Sequence, residues 1–136
     1  MALTEQSRIA RCQCGALSAT CRGEPWRVSL CHCNACKRRT GSAFGLQATW
    51  HDEQVERSGT AVEYERVGDE GHWARDHFCG RCGTTLWYVI ERRPGSVSVP
   101  VGCFGTPDFP PPAFVVYEEC AMAGIVLQFS TEPERQ

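Results

Sequence analysis

The sequence predicts an all-β domain held together by metal. Short apolar runs that alternate with polar residues are separated by turn signals about every ten residues. Seven of the ten cysteines fall into clusters spaced C-x-C, C-x-C-x-x-C and C-x-x-C, and these are knuckle spacings for a metal. The length of 136 residues suits one core, and no repeat or linker divides the chain, so residues 1–136 read as a single domain.

The elements follow in order. Residues 1–8 are polar and lead into nothing periodic, so fraying is expected. Cys12-Gln13-Cys14-Gly15 reads as a tight turn, with Gly15 free to take positive φ. Residues 16–21 form a short strand, Gly23-Glu24-Pro25 a turn, and residues 26–30 a second strand. Asn34 is the expected N-cap of a short helix through Arg39, and Gly41 its stop. Residues 44–50 are the next strand, followed by a turn or single helical turn at 51–54. Residues 55–57 and 62–67 are expected to pair as a hairpin around Ser58-Gly59. A polar turn at 68–71 and a strand at 73–78 lead into Cys79-Gly80-Arg81-Cys82-Gly83. Strands at 84–90 and 97–101 are joined through Arg93-Pro94-Gly95. Residues 106–112 carry four prolines and should be an extended loop. Strands at 114–117 and 125–129 and a polar tail at 131–136 complete the chain.

The charge balance excludes some function classes. A net charge of −2 offers no global attraction to nucleic acid, and the basic run at 37–39 is short, so no nucleic-acid partner is expected. Residues 1–11 contain no apolar segment of the signal-peptide kind, and no run approaches a membrane span. A cytoplasmic protein with no membrane partner is the expectation, and in a reducing compartment clustered cysteines indicate metal in place of disulfides.

Seven clustered thiols divide as four plus three. Cys12, Cys14, Cys79 and Cys82 are the natural set for a closed, structural zinc. Cys31, Cys33 and Cys36 remain, and three protein ligands are what a zinc with one open position has. The competing reading closes this second site with His32 or a remote residue. Lys37, Arg38 and Arg39 follow at once and suit carboxylates, Arg in bidentate fashion; a solvated helix face is the plain alternative. His51, His72 and His77 have no distinguishing spacing. Trp50, Trp73, Trp87 and Phe44 read as core or cleft wall, and Cys21, Cys103 and Cys120 as buried small hydrophobes.

Three stretches together resemble a known family. They are Cys12-Gln13-Cys14-Gly15, then Cys31-His32-Cys33-x-x-Cys36-x-x-x-Thr40-Gly41-Ser42-Ala43-Phe44, then Phe78-Cys79-x-x-Cys82-Gly83-Thr84. In order and spacing they resemble the glutathione-dependent formaldehyde-activating enzymes, whose domain is shared with centromere protein V. The resemblance covers residues 12 to about 90. Members commonly carry a histidine after the proline-rich loop and a tryptophan near the end; here Ala113 and Phe114 follow the prolines, and no tryptophan lies after Trp87. The resemblance implies an Mss4-like β-tent of short antiparallel strands, two zincs divided as above, and a carbon–sulfur lyase with glutathione and formaldehyde as partners. An open zinc stabilises a substrate thiolate. Three thiolate ligands make it a weak Lewis acid, so thiol delivery is favoured over carbonyl polarisation. A non-catalytic zinc-stapled binding module is the second reading, and zinc storage or redox sensing a third.

Overall fold

In the computed structural model, which describes residues 6–136, the alternating runs become eleven strands and the chain is all-β. The chain begins its elements with β1 (Ser7–Arg11), β2 (Ser18–Arg22) and β3 (Arg27–Cys31). Next come α1 (Asn34–Thr40), β4 (Gly45–His51), β5 (Val55–Ser58) and β6 (Ala61–Val67). Then follow β7 (Trp73–Cys79), β8 (Thr85–Ile90), β9 (Ser96–Pro100), β10 (Phe114–Val116) and β11 (Glu134–Arg135). A three-stranded sheet has the order β1-β2-β5, and an eight-stranded sheet the order β11-β10-β3-β4-β9-β8-β7-β6. This is the layout expected of a β-tent. Buried side chains of both sheets, among them Ala19, Cys21, Trp50, Val97 and Val99, form one cluster, and the Trp50 Nε1–H donates to the Gly23 carbonyl at 2.9 Å. Among the described residues, no helix is long and apolar enough to cross a membrane.

Several expectations need correction. Fraying of residues 1–8 fails for Ser7 and Arg8, which pair with Arg22 and Cys21; residues 1–5 lie outside the described residues. The runs at 55–57 and 62–67 are strands but not a hairpin: β5 pairs with β2, and β6 with β7. The chain passes between the sheets at Gly59, whose φ is +97°. A side chain there would collide with the Ala16 carbonyl oxygen and meet Leu17 Cα at 3.2 Å, so glycine is required twice over. The pairing is not wholly antiparallel, because β10 runs parallel to β3 and to β11. Residues 125–129 form no strand. The free edge of β10 is taken by Glu134 and Arg135 from the expected polar tail, which leaves Val126 95% exposed.

Helix α1 ends as expected, with Gly41 in the left-handed region (φ 70°). Its N-cap is Cys33, not Asn34. Cys33 is extended, and its Sγ accepts from the Cys36 N–H at 3.3 Å, so the sulfur does the work of a capping oxygen.

Candidate metal centres and the thiol site

Two turns far apart in sequence make the first cluster. The turn after β1 carries Cys12 and Cys14; Cys79 ends β7, and the turn after it carries Cys82. The fold brings the four sulfurs within 4.8 Å of one another. Cys14 Sγ lies 3.7 Å from Cys12 Sγ and 3.6 Å from Cys79 Sγ. Backbone N–H groups point at the sulfurs: Leu17 N–H donates to Cys12 at 3.2 Å and Arg81 N–H to Cys79 at 3.4 Å. Such donors spread thiolate charge, as a metal knuckle needs. Thr84 ties the turns together. Its Oγ1 accepts from the Gln13 N–H at 3.1 Å and sits 3.3 Å from Cys82 Sγ. The hydroxyl of Thr84 is the first cause that draws the Cys82 thiol down to about 5.

The second cluster is local. Cys31 ends β3, Cys33 caps α1, and Cys36 sits one turn in; their sulfurs also lie within 4.8 Å of one another. No nitrogen of His32 joins them. Its ring is buried and packs edge-on to Phe44 with centroids 6.3 Å apart. No other His, Cys, Asp or Glu joins either cluster among the described residues. The Cys33 thiol is drawn down to about 2, chiefly by the hydrogen bond from the Cys31 thiol and then by that from Cys36. Cys31 is pushed up in turn, first because it gives that hydrogen bond. Both clusters offer soft sulfur donors at ligand distance, and each is suited to a metal ion such as zinc.

The basic run splits three ways. Lys37 Nζ donates to the Cys120 carbonyl at 2.5 Å. Arg38 is exposed. Arg39 turns inward over the Tyr88 ring, with Cζ 4.9 Å from the centroid. Trp50 and Trp87 are core, and Trp73 and Phe44 half-buried. Cys21 is buried, which pushes it up to about 12, whereas Cys103 and Cys120 are only half-buried.

The family model for the glutathione-dependent formaldehyde-activating enzyme matches residues 7–120, most of the chain. The chain belongs to this family. The match runs past the three motifs to the short helical turn at Glu118–Cys120. Among solved structures, a crystal structure of a Rhodobacter sphaeroides protein is similar. The identity is 20% and the TM-score 0.57, over 75% of this chain and 90% of that chain, a likeness of fold. No curated protein matches the chain.

Sequence reasoning missed the polar side chains beside the second cluster, namely Gln47, Asp76, Tyr88 and Ser98. Gln47, Tyr88 and Ser98 alternate with apolar core residues along β4, β8 and β9, and Asp76 stands between Arg75 and His77 on β7; both patterns read as a solvated face. In the fold that face is buried too; Gln47 and Asp76 are only 6% and 7% exposed.

Proposed function

We propose that this protein promotes the addition of glutathione to formaldehyde, giving S-hydroxymethylglutathione, as a zinc-dependent carbon–sulfur lyase. One observation carries the reading beyond family membership: three sulfurs cluster at the start of α1 with no fourth ligand beside them among the described residues. Cys12, Cys14, Cys79 and Cys82 would hold a structural zinc, and Cys31, Cys33 and Cys36 a second one. A zinc with an open position keeps a substrate thiol deprotonated at neutral pH, where a free thiol is mostly protonated. The chain's own residues do the rest. Arg38 faces solvent and meets one glutathione carboxylate. Lys37 has its ammonium on the Cys120 carbonyl, so it anchors the C-terminal segment beside α1 and keeps positive charge nearby. His32, buried against Phe44, walls the cluster. Seven thiols clustered for metal suit a reducing cytoplasm, where they stay free to bind it.

The test is exchange spectroscopy. Zinc-loaded protein, added to an equilibrium mixture of glutathione and formaldehyde, should accelerate interconversion of glutathione and its adduct, and Cys33→Ala should abolish the acceleration. Exchange no faster than in buffer would replace catalysis by a zinc-stapled binding module.

A further inference from the structure

Residues 125–129 carry the composition of a strand and join no sheet among the described residues. Leu127 and Phe129 are half-buried, whereas Gln128 is exposed and Val126 is 95% exposed, the alternation of an extended chain leaning on its own domain. The Ile125 N–H donates to the Met122 carbonyl at 3.2 Å and closes the turn that starts the segment. Beyond that turn, no backbone N–H of residues 126–131 and no carbonyl of residues 125–131 meets another backbone group among the described residues. Apolar side chains next to free backbone donors and acceptors are an edge that another strand can complete.

The segment itself says which strand fits. Residues 120–131 hold no charged side chain, so two copies can approach without repulsion. Antiparallel self-pairing centred on Leu127 sets Ile125 opposite Phe129 of the second copy, and Val126 opposite its Gln128. Ile125, Leu127 and Phe129 of both copies then share one face, with the two-fold axis between the Leu127 side chains. Val126 and Gln128 become the hydrogen-bonded pair, so the ladder draws on N–H groups that have no backbone partner within the chain. The Ile125 N–H, already given to Met122, is not needed. The open edge at β6 is less suited to a second copy. Tyr64 is 58% exposed there, but self-pairing centred on residue 63, 64 or 65 sets a glutamate, Glu63 or Glu65, against another glutamate.

We infer that residues 125–129 form a two-stranded antiparallel ladder with the same residues of a second copy of this chain, making a homodimer. Lys37 Nζ holds the Cys120 carbonyl at 2.5 Å, so in each copy the ladder is tied to the helix that carries Cys36.

Sedimentation velocity on zinc-loaded protein tests the ladder. The wild-type chain should pass from monomer to dimer between about 1 µM and about 1 mM, the range of a small interface. Val126→Pro removes a donor that bonds no backbone group within the chain, and should raise the dimer dissociation constant at least about tenfold. Gln128→Pro should do the same, and circular dichroism and zinc content verify the fold of both variants. Tyr64→Asp on β6 should leave the dissociation constant within about twofold. Hydrogen exchange reads the wild-type chain directly. The Val126 and Gln128 amides should exchange at least about tenfold more slowly in concentrated than in dilute protein, while those of β6 keep their rates. A wild-type chain still monomeric at about 1 mM would overturn the inference and leave the segment to a strand of another protein. A dimer whose Val126 and Gln128 amides gain no protection would overturn it as well. So would a dimer that Tyr64→Asp breaks and Val126→Pro spares, because its contact would lie on β6.

Discussion

Replacing Gly59 by alanine should be among the most damaging small substitutions in the chain. Gly59 has φ +97°, beyond the left-handed well that other residues visit. Holding an alanine there costs about 1–3 kcal/mol. The added Cβ also runs into the Ala16 carbonyl oxygen and crowds Leu17 Cα, both backbone atoms that cannot rotate away. Forced overpacking of this kind adds about 1–3 kcal/mol. The sum of about 2–6 kcal/mol is a large part of the stability of a domain this size. The damage should also reach the metal, because the displaced Leu17 N–H is the donor to Cys12 Sγ. In urea unfolding the midpoint should fall by at least about 1 M, and zinc should be lost from the four-cysteine site first. Gly71→Ala is the control: φ is +86° there, but a Cβ would meet nothing within 4 Å, so only the conformational cost remains. A Gly59→Ala midpoint no lower than that of Gly71→Ala, with full zinc content, would refute the reasoning.

Four further outcomes are expected. Elemental analysis of metal-replete protein should return about two zincs per chain. Cys79→Ala should cost solubility and fold, whereas Cys33→Ala should strip one zinc and spare the fold; equal damage would erase the division of roles between the clusters. Glutathione should bind at least about tenfold more tightly than mercaptoethanol, and Arg38→Ala should shrink that ratio without removing zinc, as read by anaerobic calorimetry. Burial raises the Asp76 carboxyl above its ordinary value, so ionising it opposes folding. Stability from the neutral carboxyl is present at low pH and lost as pH rises through the raised value. Asp76→Asn should therefore melt higher than the wild-type protein at pH 7, and the gap should close on acidification; a gap that is constant with pH would show that the charge is not the cause.

The two cysteine clusters were legible because ligand spacing is local chemistry: C-x-C and C-x-x-C bend around a metal wherever the fold puts them. Gly41 as helix stop was legible for the same reason. Partner choice between strands was not. Residues 55–57 and 62–67 carry the pattern of a hairpin, and only the collision of any other residue with Ala16 at position 59 marks the crossing between sheets. Residues 125–129 look like a better strand than Glu134–Arg135, yet edge pairing went to the latter through backbone bonds that no side-chain pattern encodes. The polar side chains beside the thiols were hidden by their strand patterns. Gln47 and Asp76 sit where a one-sided sheet meets water, and only the arrival of α1 and neighbouring strands buries them.

The clusters also differ in how much chain each must gather. Cys31, Cys33 and Cys36 lie within six residues, whereas Cys14 and Cys79 stand 65 residues apart. Closing a loop of that size removes roughly 4 kcal/mol of disorder from an unfolded chain, by the arithmetic used for cross-links. The short cluster can collect its ion while the rest of the chain is still a coil; the long one forms only once both sheets are side by side. Loading would thus be ordered in time, with the reactive ion early and the staple last. In urea strong enough to unfold the protein, a titration should find one tight zinc where the folded chain takes two. The same order would run backwards under a chelator, so that the sheets part company before the thiol site gives up its ion.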